Sequence, residues 1–153
     1  MNRAIYIALV SIGLAQFIKI PIKKFKTGFW DWKTMFETGG MPSSHSAGVS
    51  SLATYIALRR GVSTIDFGLS SIFGLIVMYD AQGVRRQAGE LTLKVNELDE
   101  EIERMEGQKD HHYHDRKEDR LKEMLGHQPK EVVGGALFGM LTGTIGYLLT
   151  KKL

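Results

Sequence analysis

The feature that most constrains this chain is the uneven placement of its charge. Lys, Arg, Asp and Glu make up 24% of the 153 residues, an ordinary fraction for a soluble protein, yet they crowd between about residues 85 and 131. Four stretches, around 4–18, 47–58, 64–79 and 132–149, carry almost none. The net charge of +3 therefore averages over two kinds of segment, apolar runs and the polar connections between them. A helix crossing about 30 Å of hydrocarbon needs roughly 20 residues, and about 17 can suffice. The expected helices run from about Ala4 to Ile20, Ser43 to Leu58, Thr64 to Tyr79 and Glu131 to Thr150. The fold class read from this is all-α: an integral membrane helical bundle of about four transmembrane helices, in one domain spanning 1–153.

The opening run has one Arg before its apolar stretch but no small-residue cleavage site after it, and Lys19, Lys23, Lys24 and Lys26 follow, so it reads as a retained first span. Four buried helices of a soluble bundle are the competing architecture. Phe29, Trp30 and Trp32 argue against it, because they sit just beyond the first span, where an interfacial aromatic belt belongs. The lack of cysteine removes disulfides and thiolate metal sites.

Span order then decides which residues share a face. The end of the first span, the start of the second, the end of the third and the start of the fourth all lie on one side. That side collects Lys23, Lys24, Lys26 and Lys33, and then every basic residue from Arg85 to Lys130; the other has Arg3, Arg59, Arg60, Lys151 and Lys152. The positive-inside bias places the richly basic face in the cytoplasm of a multi-pass cell-membrane protein.

Gly135, Gly139 and Gly143 recur every fourth residue in the last span, which lets another helix approach closely. Packing within the chain is expected over a homodimer. Residues 88–126 read as a polar helical insertion, a charged cytoplasmic hairpin. Leu91, Val95, Leu98, Ile102 and Met105 form a heptad-like stripe on its first arm, and Leu121, Met124 and Leu125 a second apolar set. The hairpin packs on itself or on a partner subunit.

Three segments carry residues suited to chemistry. Gly39 to Ser46 opens the second span, and Pro42, Ser43 and Ser44 suit a helix N-terminus, whose free N–H groups and dipole favour an anion. His45 in the first turn is placed to give a proton to a leaving oxygen. His127 and Glu131, four apart at the start of the fourth span, set a carboxylate one turn from an imidazole, which orients one ring nitrogen and leaves the other to attack. At the end of the third span, Arg85 and Arg86 lie between glycines and can offer planar donors to phosphate oxygens, with Asp80 orienting an arginine. A capped helix, a surface His–Glu contact and a positive-inside anchor would explain these segments one by one. Their convergence on one face is what separates a site from chance.

These residues resemble the type-2 phosphatidic acid phosphatase superfamily, especially its short divergent bacterial and plant branch. The likeness rests on GGMPSSHSA, YDAQGVRRQAGE and LGHQPKEV, and on Lys19 followed after six residues by Lys26-Thr27. Lys26 stands where the superfamily has an arginine, Ser44 where it has a glycine and Glu131 where it has an aspartate, and about forty residues separate the arginines from His127.

The resemblance implies a phosphatase without metal or other cofactor. His127 would form a phosphohistidine, His45 would protonate the departing alkoxide and Glu131 would orient His127. Lys19, Lys26, Arg85 and Arg86, with Ser43, Ser44 and nearby backbone N–H groups, would hold the phosphate. The substrate implied is a lipid phosphate, such as phosphatidylglycerophosphate, phosphatidate or a polyprenyl phosphate or diphosphate, and nucleic acid is not a partner. Two readings compete. One is a non-catalytic lipid-phosphate binder or transporter. The other takes His111, His112 and His114, with Asp110 or Asp115, as metal ligands.

Overall fold

The computed structural model describes residues 2–36, 39–106 and 126–151. Among them are five helices: α1 (Arg3–Thr27), α2 (Ser44–Arg60), α3 (Ile65–Gln82), α4 (Val84–Glu106) and α5 (Pro129–Thr150), with a 3-10 turn at Trp32–Phe36. Their starts follow local chemistry. Asn2 accepts from the Ala4 N–H, Ser43 from the Ser46 N–H and Thr64 from the Phe67 N–H, while Pro129 opens α5.

Helix α1 runs seven residues beyond the expected end at Ile20, with Pro21 inside it. Proline removes one donor without ending the helix, and the lysines beyond it reach back to the next segment. Lys23 Nζ lies 2.9 Å from Asp31 Oδ2, and Lys24 Nζ lies 4.1 Å from the centre of the Trp30 ring. Trp30 and Trp32 stack on one another and remain exposed beside α1's end, as an interfacial anchor requires.

The core is made largely of small and polar groups, joined by Ile7, Ile20, Tyr55 and Val132, and most of the large apolar side chains face outward. Ser11, Ala15, Ser46, Ala47 and Ser51 are fully buried, whereas Leu9, Phe17, Phe73, Leu137 and Leu148 are exposed. That is the inverse of a soluble bundle and the arrangement expected when lipid is the solvent. Helix α2 is central, packed against α1, α3 and α5. It runs parallel to α5: Gly135, Gly139 and Gly143 meet Ser43, Ala47 and Ser51 in turn. A methyl at Gly139 would lie 2.9 Å from the Cα of Ala47 and from the Cβ of Ser50, so the glycine ladder is consumed inside the chain. Ser11 Oγ, 3.2 Å from the Ala47 carbonyl and 2.7 Å from Thr142 Oγ1, ties α1 to both helices.

Among the described residues, three stretches are long and apolar enough to cross a membrane: Arg3–Phe25, Ile65–Ile102 and Pro129–Thr150. Of the four expected, α2 falls short, being 17 residues long and rich in serine. Its neighbours are helices on most sides, so helix packing takes the place that lipid contact fills elsewhere.

The residues between the third expected span and the expected helical insertion are themselves helical apart from Gly83. Only Gly83 separates α3 from α4, and among the described helices α4 touches α3 alone. It covers the segment expected to be the first arm of a hairpin. The rest of that expected hairpin, with His111, His112, His114, Leu121, Met124 and Leu125, lies outside the described residues.

Candidate active site

Helix direction brings the ends of α1 and α3 beside the starts of α2 and α5. His45 projects from the first turn of α2, and His127 immediately precedes α5. Their rings face edge to face-plane, centres 5.8 Å apart and planes 69° apart. His127 is 3% exposed and His45 lies open at the surface, so one imidazole forms the floor and the other the rim.

Several elements fix His127. Its backbone N–H donates to the Ala81 carbonyl at 3.0 Å, joining it to α3. Its Nδ1 lies 3.2 Å from Glu131 Oε2, and the same oxygen accepts the Gln128 N–H at 3.1 Å. Glu131 thus caps α5 and orients the imidazole at once, leaving Nε2 as the free nitrogen. Gly126, just before it, lies against the backbone of α4: a methyl there would come within 2.7 Å of the Arg85 carbonyl carbon and the Arg86 Cα. Only glycine permits that approach.

The α2 N-terminus is tied to the same frame, since the Ser43 N–H donates to the Glu131 carbonyl at 3.0 Å. Ser43 and Ser44 are buried, and Ser46 Oγ donates to Ser43 Oγ at 3.1 Å. Lys19, in the second half of α1, is 3% exposed and passes close to Gly40. Lys19 and Arg85 both act electrostatically on both imidazoles, and Asp80 on His45.

The two arginines part company. Arg85 Nε is 2.5 Å from Asp80 Oδ2, the orienting contact expected of Asp80. Arg86 Nε instead donates to Glu90 Oε1 at 2.9 Å. Successive residues of a helix point about 100° apart, so the pair cannot act as one clamp once 84–106 is helical. Lys26 sits in the last turns of α1; its side chain lies outside the described residues.

Burial pushes the His127 imidazolium below the ordinary histidine range. The Glu131 hydrogen bond opposes this, and the positive Lys19 and Arg85 add to it. The neutral, nucleophilic form is favoured. Sequence reading missed Ser11 and Thr142, which join the helices beneath the site, and Gln16, whose buried Oε1 has no hydrogen-bond partner among the described residues. Polar residues inside an apolar span are the signal that could have found them.

These features define an α-helical integral membrane protein in which two histidines, the buried Lys19 and the exposed Arg85 converge at one end of the bundle. The chain belongs to the Divergent PAP2 family, whose family model matches residues 1–142. It is 45% identical over 137 residues to the uncharacterized membrane protein YuiD of Bacillus subtilis (strain 168), a match covering 88% of this chain and 87% of that protein. No solved structure matches it.

Proposed function

We propose that this protein hydrolyses a lipid phosphomonoester or diphosphate at the membrane surface through a phosphohistidine on His127. The observation that carries the reading is the pair of imidazoles 5.8 Å apart, the buried one held through Nδ1 by Glu131. At that separation both rings reach one phosphoryl group, one at phosphorus and the other at its ester oxygen.

His127 Nε2 attacks phosphorus, the P–O ester bond breaks, and the leaving alkoxide takes the proton of His45. Water then attacks the phosphohistidine, its proton returns to His45, and the P–N bond breaks to release phosphate. Lys19 and Arg85 face the charge that accumulates on the equatorial oxygens, and the first-turn N–H groups of α2 add to them. Lys26 extends this set. Asp80 positions Arg85. Membrane placement of the site selects an amphiphilic substrate, with phosphatidylglycerophosphate first among lipid phosphates if the basic face is cytoplasmic.

The test is phosphate release from lipid phosphates in detergent micelles containing EDTA, with and without vanadate. Vanadate-sensitive release that is abolished in His127→Ala and His45→Ala supports the mechanism. Binding without release, unchanged in both variants, supports a lipid-phosphate binder or transporter instead.

A further inference from the structure

The proposed chemistry makes no use of the outer face of α4. Leu91, Val95, Leu98, Ile102 and Met105 follow one another at spacings of 4, 3, 4 and 3 residues along the helix, and all are 42–67% exposed. Val84 and Ala88 continue the register back to the bend at Gly83. On the other side of the same helix Gly89 and Asn96 are buried and Leu93 is half-buried. A continuous apolar seam is thus left open while the opposite face is filled.

The residue types along the seam select its occupant. With Leu91 at d, Val95 and Ile102 fall at a and Leu98 and Met105 at d. β-Branched residues at a with leucine at d favour two parallel strands. The membrane imposes the same arrangement, because α4 follows the apolar helix α3 after one residue. Every copy inserted the same way presents α4 from the same face, in the same direction and at the same height. In that parallel register Lys94 at g meets Asp99 at e of a second copy, an opposite-charge pair.

We propose that α4 pairs with α4 of a second copy of this chain, as a short parallel two-stranded coiled coil standing on the face that carries the histidines. A seam of this length is weak for free peptides, but confinement to one membrane raises the effective concentration of the two arms.

The chain has no cysteine, so single-cysteine variants report the contact in native membranes. Leu91→Cys, Val95→Cys and Leu98→Cys are expected to form a covalent dimer on mild oxidation, in about tenfold the yield of Glu90→Cys and Glu97→Cys on the outward c positions. Leu98→Lys should convert the detergent-solubilised dimer to monomer by light scattering while its helix content by circular dichroism is unchanged. Lys94→Glu should weaken association about threefold, and Lys94→Glu with Asp99→Lys should restore it. Equal cross-linking at seam and outward positions would overturn the proposal. So would a cysteine at 98 that is shielded from aqueous thiol reagents yet forms no dimer, which would assign the seam to the bilayer surface or to another part of this chain. A dimer that survives Leu98→Lys would place the contact elsewhere and overturn it equally.

Discussion

Both ends of the bundle are basic, but they are built differently. At the far end Arg3, Arg59, Arg60 and Asp66 rim a groove of about 560 Å³ floored by Leu52, Ile56 and Leu69. The charges there stand in water: Arg60 Nε lies 3.1 Å from Asp66 Oδ2, with the two side chains 65% and 50% exposed. At the near end Lys19 and His127 are each 3% exposed, and helix termini from four helices converge around them. Exposed ion pairs contribute little, whereas buried groups with fixed partners have unusual electrostatics and little freedom. Charge count alone does not separate the two ends; burial and convergence do.

The contrast breaks most sharply under substitution of the floor histidine. His127→Ala should lower phosphate release on the order of ten-thousand-fold, because an activated nucleophile is lost outright. Arg59→Gln and Arg60→Gln at the far end should change it less than about twofold. Equal losses at both ends, measured on the same lipid phosphate, would end the distinction.

The seam that aligns the near end offers the next test. Gly139→Val should destabilise the protein by about 3 kcal/mol, since the added methyls meet α2 backbone. Gly68→Ala in α3 has open space around it and should stabilise by about 0.5–1 kcal/mol. Thermal melts in detergent compare the two.

A smaller effect separates the adjacent arginines. Asp80→Asn should lower the rate about 10- to 100-fold by releasing Arg85 from its charged hydrogen bond. Arg86→Gln should cost less than about threefold, because Arg85 and not Arg86 acts electrostatically on the two imidazoles. Comparable losses in the two variants would restore the arginines to a joint role.

The pH profile gives the finest test. Neutral His127 is the attacking form, so the rate falls as pH drops through its pKa. That pKa is depressed, first by burial, so the acid limb of kcat/KM should lie below the range of a free histidine. Glu131 raises the pKa against that trend; Glu131→Gln should therefore move the limb to still lower pH while lowering the plateau. A limb that moves upward in this variant would show that Glu131 does not act on His127. Stability follows the same sign. The unfolded histidine binds its proton at higher pH than the folded one, so this group's contribution favours unfolding as pH falls through about 6.5.

Much of this was legible in the chain itself. The four nearly uncharged runs located α1, α2, α3 and α5 to within a few residues at most ends, and reading them as alternating in direction placed His45, Asp80, Arg85, His127 and Glu131 on one face. The spacing of His127 and Glu131 specified their contact, since residues four apart on a helical turn are neighbours. The glycines of α5 announced a close approach, though not to which helix.

Other features depended on contacts between distant residues. The extension of α1 past Pro21 is accompanied by contacts of Lys23 and Lys24 with Asp31 and Trp30, and no local pattern records that pairing. The divergence of Arg85 and Arg86 follows from helix beginning again after Gly83, between the end of the expected third span and the start of the expected insertion, where the sequence carried no helical periodicity. The enclosure of α2, the Ala81 carbonyl that anchors His127 and the approach of Gly126 to α4 are relations between segments far apart in sequence. Periodicity reports what a segment does alone; which surfaces meet, and therefore which charges are buried, is settled only when the helices pack.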